Sequence, residues 1–388
     1  MQTPGETVRG RRQAPIKRAP AIQVERQRLN KRVSVQPTPR ARIADVAREA
    51  GVSKAAVSFA FNTPERLKPE TAERIRQVAM TLGYRPHPVA RMLTAGSTAT
   101  IGILTPNPLA QAFANPFFAL FAEGVATVTE DHGFGLLFIS PLHGSLERAL
   151  ARATVDGVIV IGLDHHHPEV ESIRRVGLPT VLVDAPAWPE HGAIGVDDTA
   201  GALAAARHLL QLGHRDLLIL TMEPSEAQED SGSVMARRMR GYRLALEEYE
   251  VELGPDNVRQ APATFEGGEA CFLRAWEDGL RPTGVLSMSD AAAAGVLQAA
   301  RHLGLSVPDD LSIVGFDDLP LTRFTDPPLT TVHQPVRRKG EEAARMLLRA
   351  LNPEQGRAGE HRVLETRLVV RRSTAPPGNR SQEVIGDG

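Results

Sequence analysis

Short apolar runs alternate with stretches of helical length through most of this 388-residue chain. Between about Thr98 and Thr374 the runs are 101–104, 135–139, 157–161, 180–184, 216–220, 284–287 and 312–316. Segments long enough for helices separate them, at 116–132, 198–212, 233–249, 266–278, 290–303 and 335–350. Strands alternating with helices predict βαβ units and parallel sheets, hence an α/β fold. A region of this size, with this many strands, predicts two stacked lobes rather than one large sheet. The division expected is about 98–196 with 332–350 for the first lobe and about 197–331 with 351–374 for the second. Residues 375–388 read as a disordered tail.

The texture upstream is different. Ile43, Val46, Ala47 and Ala50 recur at helical spacing and make one apolar face. Gly51 permits the positive φ that ends a helix, and Val52 can plug the corner that follows. Ser53 is a good N-cap for a second helix with Ala56, Val57 and Phe61 on its apolar side. Pro69 opens a third helix, whose buried stripe is Ile75, Val78, Ala79 and Leu82. Two short helices at a tight glycine turn form the helix-turn-helix, whose second helix enters the DNA major groove. The spacing alone also fits any small three-helix bundle.

Charge separates the two regions. Residues 1–95 carry 19 basic and 7 acidic side chains, a net of +12, while 96–388 carry a net of −13; the whole chain sums to −1. Such an asymmetry predicts a segment that meets a polyanion, joined to a body that does not. Residues 1–42 alone contribute +9, with prolines at Pro4, Pro15, Pro20, Pro37 and Pro39. The arm 1–41 therefore reads either as an unselected tail or as a disordered contributor of nonspecific, salt-sensitive DNA affinity.

Other classes drop out. No apolar window is long enough to cross a membrane, and no apolar stretch of signal-peptide type follows the basic N-terminus. A cytoplasmic protein is expected, with no membrane partner. The single Cys271 can form neither an intramolecular disulfide nor a cysteine-rich zinc site, and reads as a small buried hydrophobe. His165, His166 and His167 cannot converge easily on one ion, so that run reads as a solvated loop, with no metal or cofactor expected. No phosphate-binding loop, zinc-protease helix or nucleophile elbow occurs.

Open parallel sheets bind ligands beyond the carboxyl ends of their strands. Polar residues end several strands here: Asp164, Asp184, Asp197, Ser289-Asp290 and Asp317-Asp318. Carboxylates suit hydroxyl-rich ligands, which favours a sugar or sugar phosphate over a purine. The competing role is helix capping, preferred for Asp197 and Asp198 and left open for Asp290.

The pattern Ile43-x-Asp-Val-Ala-x-x-Ala-Gly-Val-Ser, then Val57-Ser58 and Asn62, resembles the headpiece of the lactose-repressor/galactose-repressor (LacI/GalR) family. Gly83-Tyr84-x-Pro86, Ala90-Arg91 and Leu93 extend the resemblance, which continues to Thr374. It implies a helix-turn-helix headpiece at 42–86, a hinge helix and linker at 87–97, and a two-lobed body at 98–374 of periplasmic-binding-protein type. Lys54, Ala55 and Ala56 then stand where base edges are read; lysine can bond guanine acceptors, and alanine offers only apolar contact. Ser53, Ser58 and Asn62 stand at phosphate positions, with Tyr84, His87, Ala90 and Arg91 in the matching DNA-binding segment. Leu93 matches the leucine wedged into the minor groove. Two departures bear on DNA reading. Phe59 stands where the family usually has arginine, and His87-Pro88 where asparagine usually follows the hinge proline.

In the body, Asn115-Pro-Phe-Phe118 resembles the segment that places an amide and aromatic rings in the cleft; Phe117 and Phe118 could equally serve helix packing. Arg238-Met-Arg-Gly241 matches the family's Arg-x-x-Gly, which makes Arg238 the ligand anchor. Ser289, before Asp290, replaces a usual asparagine. Asp317 in Gly315-Phe-Asp-Asp318 is an effector residue, and His333 lies within reach of the cleft. The resemblance implies a transcriptional repressor, a homodimer at least, on a pseudo-palindromic operator, and the lack of a sustained heptad after residue 374 favours a dimer over a tetramer. The two alternatives are a solute-binding protein, which has no use for residues 42–95, and an α/β enzyme, for which no nucleophile–base pair stands out.

Overall fold

A computed structural model describes residues 41–85, 96–163, 167–186, 188, 190–222, 232–352 and 359–378. The expected arm, hinge residues His87, Ala90, Arg91 and Leu93, as well as Asp164, His165 and His166, lie outside the described residues. The chain divides into two compact units, Met1–Ala95 and Gly96–Gly388.

The first unit holds α1 (Ile43–Glu49), α2 (Lys54–Asn62) and α3 (Pro69–Thr81). Gly51 takes φ +63° at the turn between α1 and α2, a conformation costly for residues with a Cβ. Val52 N–H bonds back to the Ala47 carbonyl, which closes the corner. Val46, Val57, Ala60, Ala72, Ile75 and Ala79 form the buried centre, flanked by the half-buried Ile43, Phe61 and Leu82. The periodic apolar positions of three short helices thus converge on one core.

In the second unit each lobe is a six-stranded sheet with helices on both faces. The elements of lobe 1 begin with β1 (Thr100–Leu104), α4 (Leu109–Ala114), α5 (Pro116–Asp131), β2 (Gly135–Ile139) and α6 (Leu146–Arg152). They continue with β3 (Gly157–Ile161), α7 (Val170–Arg175), β4 (Thr180–Val183) and β5 (Gly192–Val196). Lobe 2 follows with α8 (Asp198–Gln211), β6 (Leu217–Met222), α9 (Val234–Glu248), β7 (Val258–Ala261) and α10 (Phe265–Glu277). Then come β8 (Gly284–Ser287), α11 (Asp290–His302), β9 (Ser312–Asp317) and β10 (Thr330–His333). The chain returns to lobe 1 for α12 (Val336–Leu351) and β11 (His361–Leu364), and ends in lobe 2 with β12 (Arg367–Val369). Strand order is β11-β5-β4-β3-β1-β2 in one sheet and β12-β10-β9-β8-β6-β7 in the other. All pairings are parallel except β10 with β12.

The uninterrupted apolar runs are explained by burial on both faces. In β3, Ile159 and Ile161 pack under α5 and α12 with Phe121, Val125 and Leu347, while Val158 and Val160 face Leu146, Leu150 and Ile173. Lobe 2 repeats this, with Ile219 toward α8 and α9 and Leu218 toward α10 and α11.

Three crossings join the lobes, at 196–198, 333–336 and 364–367. Two expected boundaries therefore move. Val332 and His333 belong to lobe 2, because β10 pairs with β9. Residues 361–364 belong to lobe 1, because β11 pairs with β5. That strand is His-Arg-Val-Leu, an exposed edge without the apolar run that marks central strands. Residue 375, expected to open the tail, instead docks on the body: the Ala375 N–H bonds Ser312 Oγ at 3.0 Å and its carbonyl lies 2.9 Å from His214 Nε2.

Candidate functional site

In the headpiece, Ser53 caps α2, its Oγ accepting the Ala56 N–H at 3.1 Å. This cap leaves Ser53, Lys54 and Ala55 exposed together at the N-terminus of α2. Ala56 is half-buried against the core. Ser58 Oγ accepts from Asn62 Nδ2 at 3.2 Å, while Asn62 Oδ1 is buried with no hydrogen-bond partner among the described residues. Tyr84 packs on Phe61, ring centroids 5.9 Å apart, and burial raises its hydroxyl pKa. Phe59 lies under the Arg66 guanidinium, 5.4 Å from the ring centroid. The turn thus presents one lysine and one alanine at the exposed start of its second helix.

In the body, a cavity of about 450 Å³ opens between the two lobes. Its walls are strand ends and helix starts at the carboxyl edges of both sheets, where parallel sheets leave space. Lobe 1 contributes Asn107, Asn115, Phe117, Phe118 and Asp184; lobe 2 contributes Arg238, Thr264, Ser289 and Asp317; Gln334 comes from a crossing. Asn115 caps α5, its Oδ1 accepting the Phe117 N–H at 3.0 Å. Phe117 serves both expected roles, since it lines the cavity and also belongs to the core under α5.

Buried charge organises the floor. Arg238 Nε bonds Asp198 Oδ1 at 2.9 Å, an Nη donates to the Met288 carbonyl, and Nη2 stands 3.7 Å from Asp317 Oδ1. The guanidinium carbon lies 3.6 Å from the Phe316 ring centroid. Burial works against the Arg238 charge, but Asp198 and Asp317 more than offset it, and its pKa rises. Burial also opposes the Asp198 charge, and Arg238 and Arg237 hold its pKa below the ordinary value nonetheless. Asp317 goes the other way: burial outweighs Arg238 and the Gln334 bond, and pushes it up to about 6. Behind the opposite wall, Lys339 Nζ contacts Asp184 Oδ2 and Oδ1 at 2.6 and 2.8 Å and Gln334 Oε1 at 2.6 Å.

Several expectations are corrected. Asp197 caps α8, accepting the Ala200 N–H at 2.9 Å, but Asp198 does not; it is committed to Arg237 and Arg238. Asp290 neither caps nor lines the cavity. It is buried behind the wall, accepting from Thr331 Oγ1 at 2.5 Å and Leu319 N–H at 2.8 Å. Burial, then Asp317, raises its pKa well above the ordinary value. His333 also stays off the cavity, its Nδ1 2.9 Å from Asp318 Oδ2. His167 belongs to the cavity wall rather than a solvated loop. Among the described residues no cluster of metal-ligating side chains occurs.

Sequence reasoning missed Gln334, Lys339 and Asp198. Only Lys339 left a clear signal. It occupies the apolar stripe of α12, in register with the buried Val336, Gly340, Ala343 and Leu347. A lysine on such a stripe needs a buried partner.

A helix-turn-helix unit followed by two α/β lobes around a cavity lined by apolar, aromatic and charged side chains defines a DNA-binding regulator with a small-molecule site. Residues 42–87 match the family described as "Bacterial regulatory proteins, lacI family", and residues 206–374 match the "Periplasmic binding protein-like domain". The chain is 32% identical over 346 residues to the HTH-type transcriptional regulator DegA of Bacillus subtilis, covering 86% of this chain and 98% of DegA. It resembles the complex of the transcriptional regulator CelR with cellobiose (27% identity, TM-score 0.63), covering 86% of this chain and 100% of CelR. It shares its fold with the lac repressor dimer bound to operator and the anti-inducer ONPF (24% identity, TM-score 0.71), covering 86% of this chain and 99% of that one. The chain belongs to the lacI family of bacterial transcriptional regulators. Its relatives are DNA-binding regulators and not enzymes.

Proposed function

We propose that this regulator is a cytoplasmic, homodimeric repressor of a pseudo-palindromic operator, controlled by a carbohydrate held between its lobes. The observation that carries the effector reading is the cavity between the lobes. There Asp184, Asp317, Ser289 and Gln334 offer oxygens and an amide to hydroxyls, beside the rings of Phe117 and Phe118. Aromatic faces cover the apolar side of a sugar, and the polar groups fix its orientation. Ser289 Oγ supports this: it is buried at the cavity wall with no hydrogen-bond partner among the described residues. Such a group costs free energy unless a ligand or water satisfies it.

For DNA, the exposed start of α2 supports base reading by Lys54 and apolar contact by Ala55. The motif resemblance supports phosphate contacts by Ser53, Ser58 and Asn62, DNA contacts by Tyr84, His87, Ala90 and Arg91, and a minor-groove wedge at Leu93. Ligand in the cavity acts on operator affinity through its preference for one arrangement of the lobes, and the coupling is reciprocal.

A gel shift on DNA upstream of the regulator's own gene, with and without a ligand found by thermal-shift screening of sugars, tests both halves. A fragment starting near residue 96 is expected to keep the ligand and lose the operator. Retained footprinting by that fragment refutes the assignment of DNA binding to the headpiece.

A further inference from the structure

Behind the lobe 1 wall of the cavity, α12 holds a cation that no motif singles out. Lys339 is fully buried in the first turn of α12. Its ammonium has three protons, and three oxygens lie within hydrogen-bond reach: two on Asp184 and one on Gln334. Asp184 and Gln334 both line the cavity, so Lys339 acts on it from behind through these two side chains. Its Nζ also lies 5.2 Å from the ring centroid of Phe117, another cavity residue. A buried lysine–aspartate pair is generally no more stable than apolar residues of the same volume. Its place beside a ligand cavity calls for a reason other than stability.

We infer that Lys339 is the specificity-determining charge of this cavity: by neutralising Asp184 and fixing Gln334, it selects an uncharged polyhydroxylated ligand against both ammonium-bearing and phosphate-bearing analogues. The inference rests on the proposed role of the cavity as the effector site.

The charges around the cavity are mutually committed. Lys339 is paired with Asp184, Arg238 with Asp198 and Asp317, and Arg237 with Asp198. That makes three cations against three carboxylates, with His167 as a further titratable group on the wall. A phosphate at Arg238 would meet a guanidinium whose charge Asp198 already balances, and would lie against the Asp317 carboxylate, which repels it. An ammonium group would meet an Asp184 whose charge Lys339 already balances. A hydroxyl breaks no pair. It can donate to the lone pairs left on Asp184 and Asp317, and can either donate to or accept from Ser289 Oγ. Without the lysine the same Asp184 becomes an uncompensated carboxylate on the cavity wall, which is the environment an amino sugar needs.

The test is isothermal titration and thermal shift at pH 7.5 on the full chain. The probes are neutral pentoses, hexoses and disaccharides, each set against its amino-sugar and sugar-phosphate counterpart. The wild type is expected to bind at least one neutral sugar tenfold or more tighter than either charged counterpart. In Lys339→Met the ratio should move at least tenfold toward the amino sugar. The double variant Asp184→Asn/Lys339→Met, which removes both charges together, should recover melting temperature relative to the single variant and keep the neutral sugar first. It carries the readout if the single variant does not fold. A wild-type preference for a phosphate or amino analogue overturns the inference. So does a folded Lys339→Met with an unchanged ratio, or a double variant that prefers a charged sugar. If no sugar of any charge class stabilises the wild type, the effector-site reading fails first and takes the inference with it.

Discussion

Arg238 and Asp317 stand 3.7 Å apart on adjoining walls of the cavity, near enough for an ion pair and too far for a hydrogen bond. Asp317 instead accepts its hydrogen bond from the Gln334 amide. Its carboxylate is therefore neutralised in part from one side and oriented from the other, with burial still the largest influence on its proton.

A pH-dependent stability follows. The folded-state pKa of Asp317, about 6, lies above its unfolded value of 3.8, so the folded chain holds this proton more tightly. Its contribution is then fully present below pH 3.8 and is lost as pH rises through 6, opposite to the usual aspartate. Asp317→Asn removes that dependence. From pH 7.5 to 5, the wild type should gain about 1 kcal/mol of unfolding free energy relative to the variant, from a shift of roughly 1.4 kcal/mol per pKa unit. Urea denaturation of both proteins at the two pH values checks this; a constant difference means that Asp317 ionises normally.

Gly241 sets how closely α9 approaches α8. A Cβ there would lie 2.3 Å from the Thr199 carbonyl oxygen, a backbone atom that cannot swing aside. Arg237 and Arg238 reach Asp198 across this contact. Gly241→Ala should therefore cost about 1–3 kcal/mol in stability through overpacking. It should also weaken effector binding, because Arg238 moves with its helix. An alanine variant that melts like the wild type and binds the ligand found by the thermal-shift screen equally well counts against the close approach.

The C-terminal segment is pinned by two histidines. His208 Nε2 lies 2.9 Å from Thr374 Oγ1, and His214 bridges Thr283 and the Ala375 carbonyl. Burial lowers both pKa values below 6.5. Both hold their share of stability above pH 6.5 and lose it as the solution acidifies, because the unfolded chain takes up the protons first. Hydrogen exchange over residues 371–378 should show weaker protection at pH 5 than at pH 7, after correction for intrinsic rates. Equal protection at both would show that these rings carry no such linkage.

Lys54 is the long cation at the exposed start of α2 and the candidate base reader. Lys54→Ala should cost about 1–3 kcal/mol at one operator base pair and relax discrimination there. Fluorescence anisotropy on single-position operator variants at several salt concentrations provides the measurement. A uniform loss across all variants, with a shallower salt slope, would make Lys54 a phosphate ligand instead.

Much of the architecture was legible because burial on both sheet faces writes itself as uninterrupted apolar runs. The interior strands β1, β3, β4, β6, β8 and β9 and their long helices stand close to where periodicity puts them, whereas the interior β5 and β10 were not among the apolar runs. The headpiece was legible for a local reason: a glycine at positive φ and a serine cap act within a few residues. The peripheral β11 left no such trace, since its outward side chains are polar or exposed and its place depends on a partner strand far away in sequence.

The sequence by itself pointed to the class of this protein through the motif resemblance at 43–62 and 83–93, which helix periodicity, turn chemistry and the split of charge support because they are properties of neighbouring residues. It also named seven of the residues that line the cavity: Asp184, Ser289 and Asp317 from the carboxyl ends of strands, and Asn115, Phe117, Phe118 and Arg238 from the family resemblance. Only the tertiary structure decided which carboxylates line the cavity and which turn away from it. Asp290 turns away to bind Thr331 and Leu319, Asp198 to hold two arginines, and Asp318 to meet His333. Asp184 keeps its place on the wall because Lys339, 155 positions later, comes to rest behind it. The pairing of buried charges depends on distances between remote segments, and those distances exist only after the lobes have packed.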